Sequence, residues 1–341
     1  MADAIPTSAT CLVTGAAGFI GAHLVRELQR CGVSKIVALD DLSGGFRENV
    51  PADVTFVEGS VTDRQFVDAV FRAHRFTYVY HLAAYAAEGL SPFIRSFNYT
   101  NNVVGSVNVI DAAVNYQVRC LVFTSSIAVY GSGQVPMRES MTPHPEDPYG
   151  IAKYAVELDL AAARSTFGLE HVVFRPHNVY GEFQNIGDRY RNVIGIFMNQ
   201  ILQGAPMTIF GDGTQQRAFT YVGDIVGAMA QAAWTPAAYG RVFNVGADVA
   251  CSVNELAANV ANAMHAPGHP VTHAPARHEV HAAFSDHTAA ASVFGDSSHT
   301  PLDEGLSRMA EWARRVGARA TRPFTAIEIE RGLPAAWRAD V

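Results

Sequence analysis

The segment YGIAK at 149–153 sets a tyrosine and a lysine four residues apart. On a helix, Tyr149 and Lys153 emerge on one face. An ammonium beside a phenol favours the phenolate and lowers its pKa. Such a phenol can take the proton of an alcohol while hydride leaves the same carbon. The bare pattern also fits a solvated helix face, so its weight comes from its company. FTSSIAVYG at 123–131 closes an apolar run and supplies Ser126, a hydroxyl able to bridge substrate and tyrosine.

A hydride needs an acceptor. GAAGFIG at 15–21 follows the apolar run Cys11, Leu12, Val13 and opens an amphipathic segment. Glycines there let the backbone turn tightly and approach a pyrophosphate. The helix N-terminus adds free N–H groups and the positive end of its dipole. An acidic residue about 20 positions further on, at the end of the second strand, would bond an adenosine ribose, and Asp40 stands in that window. Asp41 follows it in place of an arginine, which suits NAD over NADP.

These residues need a frame. Short β-branched runs at 9–14, 35–39, 54–58, 78–83, 120–125 and 171–175 alternate with amphipathic segments at 20–31, 63–74, 94–116 and 150–166. That alternation predicts an α/β fold, a Rossmann-type doubly wound parallel sheet with helices on both faces. The runs are almost wholly apolar, as strands buried on both faces should be. Beyond about residue 180 the rhythm changes. Helical segments near 191–203, 223–233, 253–264 and 304–316 are divided by loops rich in Gly, Pro and His, which predicts a smaller mixed lobe.

Composition narrows the function classes. The chain has 341 residues and a net charge of −7, which argues against a general nucleic-acid binder. Cys11, Cys31, Cys120 and Cys251 form no CxxC pair, which points to a reducing, cytoplasmic setting. The first ten residues lack a signal pattern, and no run of 18 apolar residues predicts a membrane helix. His265, His269 and His273 have i, i+4 spacing, but Pro267, Gly268 and Pro270 break a helix there. HEVH at 278–281 is one residue short of the zinc motif, so no metal is expected.

GAAGFIG, Asp40, HLAA (81–84), SSIAVYG (125–131), YGIAK, RPHNVYG (175–181) and FNVG (243–246) together resemble an extended short-chain dehydrogenase/reductase. Within that family the chain is similar to the nucleotide-sugar 4-epimerases of the UDP-glucose 4-epimerase type, from about residue 9 to 330. The resemblance implies an NAD-binding Rossmann domain over 1–180 and a UDP-sugar lobe over 181–341, with chain crossings between them. It also implies a homodimer formed through the helices 94–116 and 150–166. On the cofactor side it assigns Gly15, Gly18, Phe19 and Ile20 to the pyrophosphate loop and Asp40 to the ribose. Leu82, Ala83, Ala84, Tyr85, Asn102 and Pro176 would flank the cofactor, and Lys153 would bond the nicotinamide ribose while tuning Tyr149. On the substrate side it implies Asn178, Asn192 and Val193 near the diphosphate and sugar, with Arg217 and Arg277 gripping the diphosphate. An arginine fork suits that task, because it is always charged and can bond two oxygens at once.

Two positions depart from the family. Ser60 stands where an aspartate usually contacts adenine, so Val61 or Asp63 would serve instead. Ala128 replaces a second hydroxyl near the sugar, which leaves Ser126 the whole bridging role. The reaction is read from the same segment. Dehydratases and decarboxylases of this family carry a carboxylate just after the bridging hydroxyl, whereas Ser126 is followed by Ile127 and Ala128. The course left is C4 epimerisation through a 4-keto sugar. Arg189 and Arg191 tilt the reading to UDP-glucuronate/UDP-galacturonate, with UDP-glucose/UDP-galactose as the alternative. A non-catalytic NAD-binding regulator is the rival from another class, and the intact Tyr149–Lys153 pair speaks against it.

Overall fold

Six of the apolar runs form strands: β1 (Thr10–Thr14), β2 (Lys35–Asp40), β3 (Thr55–Glu58), β4 (Tyr78–His81), β5 (Cys120–Thr124) and β6 (Glu170–Pro176). They belong to a computed structural model that describes residues 9–133, 135–276, 282–295, 299–321 and 324–338. A seventh strand, Arg241–Val245, returns from the later part of the chain and pairs with β6. The sheet order is Arg241–Val245, β6, β5, β4, β1, β2, β3, and all pairs are parallel. From β1 the chain builds outward in one direction and, from β4, in the other. The carboxyl ends of β1 and β4 therefore flank the crevice where an α/β sheet takes its ligand.

Each strand buries both faces. Cys11 and Val13 point into one core with Leu24, Val25 and Leu28 of helix α1 (Phe19–Arg30). Leu12 points into the other, with Val79, Leu121, Phe123, Val156 and Leu160. Each such side chain contributes about 1.5–3 kcal/mol on leaving water. Helix α2 (Arg64–His74) starts at Asp63, whose carboxylate accepts from the Phe66 amide. Asp63 is thus a helix cap. The segment expected as one helix over 94–116 is α3 (Arg95–Tyr99), a π turn (Thr100–Val104) and α4 (Gly105–Asn115). Helix α5 (Pro148–Phe167) opens on the Asp147 cap with proline at its first position, the favoured N-terminal arrangement.

The smaller lobe is made of short pieces. Met207–Phe210 pairs with Val271–Ala274, and Gln216–Ala218 with Ala250–Ser252 and Ala282–Ala283. These strands have too few residues to show a period in the sequence. His273 lies on one of them, whereas His278 and His281 fall outside the described residues. Among the described residues no helix is long and apolar enough to cross a membrane.

Candidate active site

One cavity of about 1310 Å³ runs from the end of β1 into the smaller lobe. Its cofactor half is the glycine turn. Gly15 has φ +69°, and a Cβ there would stand 2.7 Å from the Ala83 amide nitrogen. Gly18 is the N-cap of α1 with no side-chain cap, so the first amides of the helix face the cavity. A Cβ on Gly21 would meet the Gly15 carbonyl at 2.1 Å, so that glycine sets how closely α1 docks. Asp40 is buried at the end of β2, where its carboxylate accepts from Ala17 N (3.0 Å) and Leu42 N (2.8 Å). Burial raises its pKa and these amides oppose the rise. A tight turn at a bare helix N-terminus with a carboxylate beside it fits a dinucleotide.

A buried polar chain braces the crevice. Thr14 Oγ1 bonds His81 Nδ1 at 2.7 Å and accepts from Ala83 N at 3.2 Å, while His81 Nε2 bonds Ser106 Oγ at 2.9 Å. It fixes Leu82–Tyr85 as they leave β4. The expected Asn102 does not line the cavity. From the π turn its amide bonds Tyr85 N (2.8 Å), Tyr85 O (3.1 Å) and Asn98 Oδ1 (2.8 Å). It positions the cofactor wall from behind, and Asn101 faces the cavity in its place. Ser60 is likewise turned aside, with Oγ on Thr62 Oγ1, while Val61 does line the cavity.

The three residues expected to react, Ser126, Tyr149 and Lys153, all line the cavity. Asp147 fixes the start of α5, so Tyr149 and Lys153 both turn inward, 8% and 3% exposed. The solvated-face reading is therefore excluded. Ser126 hydrogen-bonds the Tyr149 phenol, and its own Oγ accepts from Ala128 N at 3.1 Å. Lys153 Nζ donates to Thr124 O at 2.7 Å and lies 5.8 Å from the Tyr149 ring centre. Burial lowers the Lys153 pKa to about 7, against the pull of Glu157. Burial also raises the Tyr149 pKa, reinforced by Glu88 and Asp147 and opposed by Ser126 and Arg191. The sequence predicts a lowered phenol. In the chain alone burial pushes the phenol up, against the lowering expected from the lysine and a nicotinamide cation together. Beneath them Arg175 pairs with Glu157 at 2.5 Å, and Glu157 also accepts from Ser125 Oγ. That buried knot ties β5, β6 and α5 together at the catalytic level.

Pro176, Asn178, Arg189, Arg191, Asn192, Val193 and Arg217 all line the cavity, and Arg277 lies outside the described residues. The two asparagines are drawn into the frame. Asn178 Nδ2 donates to Ala218 O at 3.1 Å. Asn192 caps helix α6 (Val193–Leu202) through Ile194 N and donates to Val179 O. Sequence reasoning missed the tail 324–338, which closes the far end of the cavity with Gly332, Pro334, Ala335 and Trp337. Trp337 packs near Tyr190, Phe93 and Phe210, joining the two parts of the molecule. Only its late tryptophan and bracketing prolines marked it in the sequence.

The profile of the NAD dependent epimerase/dehydratase family matches residues 11–246. The UDP-glucose 4-epimerase of Mycolicibacterium smegmatis is 36% identical over 310 residues, 89% of this chain and 98% of that protein. The UDP-glucose 4-epimerase of Thermotoga maritima, solved with UDP-glucose, superposes with a TM-score of 0.84 at 34% identity, over 90% of this chain and 99% of that one. The UDP-glucuronic acid 4-epimerase of Bacillus cereus, solved with UDP-glucuronic acid and NAD, superposes with a TM-score of 0.82 at 25% identity, over 90% and 99%. The chain belongs to the NAD dependent epimerase/dehydratase family, as an extended short-chain dehydrogenase/reductase of the nucleotide-sugar 4-epimerase type, an isomerase that works with NAD.

Proposed function

We propose that this enzyme inverts C4 of a UDP-hexose whose C6 carries no charge, interconverting UDP-glucose and UDP-galactose. The observation that carries the reading is the Ser126–Tyr149–Lys153 group, set where the glycine-turn half of the cavity meets the arginine-bearing half. NAD, held by the glycine turn and Asp40, would supply the acceptor and then the donor of the C4 hydride. Tyr149 removes and returns the O4 proton, Ser126 holds that oxygen against the phenol, and Lys153 orients the ribose. Ile127 is buried behind Ser126, and Asp147 is committed to the amides of Tyr149 and Gly150, so neither acts at C5.

The sugar follows from the charges. The expected lean to a uronate rested on Arg189 and Arg191. Arg191 pairs with Asp188 at 3.0 Å, Arg189 lines the cavity, and Glu88, Asp147 and the Arg191 cation all act on the phenol. A C6 carboxylate entering there would add to Glu88 and Asp147 and find Arg191 already paired with Asp188, whereas a hydroxymethyl needs no cation. The exposed apolar Val104, Ile151 and Leu158 lie on the π turn and α5, the helices expected to pair, and support a homodimer. The four free cysteines suit a reducing cytoplasm.

The test is incubation of the purified protein and NAD with UDP-glucose, UDP-galactose and UDP-glucuronate, followed by chromatographic separation of epimers. Interconversion of the first two supports the reading. Turnover of UDP-glucuronate alone refutes the neutral sugar, and a product lighter by one water refutes epimerisation.

A further inference from the structure

We propose that Arg191 is a latch over the cofactor crevice, with its guanidinium bonding the diphosphate of the bound dinucleotide. The inference rests on the NAD-dependent reading above and assigns Arg191 to the cofactor where the sequence assigned it to the sugar.

Arg191 belongs to the segment that leads into α6, yet its side chain lies against the other half of the molecule. A Cβ on Gly44 would stand 2.9 Å from Nη2 and 3.1 Å from Nη1. Gly44 lies on the loop that leaves Asp40. Its neighbour Gly45 packs on the glycine turn, where a Cβ would lie 2.4 Å from the Ala17 carbonyl carbon and 2.7 Å from Gly18 N. The Phe46 amide donates to Ala17 O at 3.0 Å and holds the loop on the turn. The guanidinium therefore stands beside the backbone that receives a pyrophosphate.

On its other side, Arg191 Cζ lies 4.8 Å from the ring centre of Tyr85, on the wall leaving β4. One side chain thus spans the crevice from the β2 loop to the β4 wall. Asp188 pairs with it as an ion pair, 3.0 Å from Nε and without a hydrogen bond to that nitrogen. A guanidinium has five N–H groups; the Tyr85 hydroxyl takes one, which leaves Nη donors for a phosphate oxygen. Arg217, on the strand Gln216–Ala218, lines the cavity from the smaller lobe. Arg217 is thus a second cation, placed to serve the sugar nucleotide while Arg191 serves the dinucleotide.

The test loads wild type, Arg191→Gln and Gly44→Ala with NAD, removes free nucleotide, and follows NAD release and UDP affinity separately. Arg191→Gln keeps the length and removes the charge. Gly44→Ala keeps the charge, and its methyl displaces the guanidinium. NAD release is expected to quicken at least about tenfold in Arg191→Gln, the value of a charge-assisted hydrogen bond, and a few-fold in Gly44→Ala, with UDP affinity little changed. Unfolding midpoints report on folding, and if Arg191→Gln does not fold, Gly44→Ala carries the test alone. Unchanged NAD release together with weakened UDP binding assigns the arginine to the sugar nucleotide and overturns the latch. A wild-type chain that holds no NAD overturns the functional reading and the latch together, an outcome distinct from a variant that releases NAD like the wild type.

Discussion

The cofactor half of the cavity comes from the carboxyl ends of β1, β2, β4 and β5, all in one sheet and all braced by buried polar bonds such as Thr14–His81–Ser106. The half proposed for the sugar nucleotide comes from the loop before α6, three pairs or trios of short strands and the tail 324–338, brought together from distant parts of the chain. The first half repeats a geometry that few sequences satisfy, because a backbone must approach a pyrophosphate and only glycine permits it. The second is an assembly of side chains on short supports, where many sequences build a similar wall. The contrast suggests that chemistry and cofactor are set by rigid local spacing, and that sugar preference lies in the assembled wall.

The sharpest way to break that contrast is to remove the group that serves both halves. Tyr149→Phe keeps the ring that packs on Lys153 and deletes the proton carrier. Turnover should fall by about two to four powers of ten, with NAD retained. Steady-state rates and the nucleotide content of the purified protein check both parts. A near-normal rate would remove Tyr149 from the mechanism. Gly15→Ala should come next. Its methyl enters a positive-φ position 2.7 Å from Ala83 N, a site where a side chain costs about 1–2 kcal/mol before any clash. NAD affinity should drop about tenfold or more, while UDP, bound by the other half, is held nearly as before. Equal loss of UDP would show that the two halves are not independent.

The same contrast explains what the sequence made legible. GAAGFIG, Asp40 and YGIAK each carry their geometry in their spacing, so the turn, the carboxylate and the inward pair were readable residue by residue. The seventh strand was not read as one. Arg241–Val245 follows a helical stretch far along the chain, and nothing local says that it crosses back to pair with β6. Asn102 was misplaced because a π turn inside one predicted helix shifts which asparagine faces the cavity. The rise that burial alone gives the Tyr149 phenol was not legible, because burial is a tertiary quantity that the i, i+4 spacing of tyrosine and lysine does not carry. The tail was missed because its contacts are with residues more than a hundred positions away, such as Tyr190, which accepts from Phe324 N.

Lys153 offers a smaller effect that tests how rigid the catalytic centre is. Its pKa falls from an ordinary 10.5 to about 7 in the folded chain. Between those values the unfolded lysine binds a proton that the folded one does not, so stability rises with pH across that window. Below about pH 7 both states are protonated and the cost of burying the cation is paid in full. Lys153→Met should therefore flatten the rise in unfolding midpoint between about pH 7 and 10, along with abolishing turnover. A slope identical to the wild type would mean that the lysine is hydrated in solution.

The smallest expected effect lies at the tail. Glu328 accepts from Ser96 N at 2.7 Å and Phe97 N at 2.8 Å, while its own amide donates to Phe93 O at 2.9 Å. A tail carboxylate thus caps the first turn of α3, where free amides and the helix dipole favour negative charge. Glu328→Gln keeps the shape and removes the charge, and exposed contacts of this kind are worth about 0.3–1 kcal/mol. The tail should then lie less firmly across the far end of the cavity, and limited proteolysis should cut it sooner. Because Gly332, Pro334 and Trp337 line the cavity, with Trp337 beside Tyr190 and Phe210 of the smaller lobe, KM for the UDP-sugar should rise a few-fold. Both kcat and NAD retention should hold, since the glycine turn and the Tyr149 pair have no contact with Glu328 among those described. A loss of NAD with KM unchanged would reverse the division between the halves, and would make the tail part of the cofactor site.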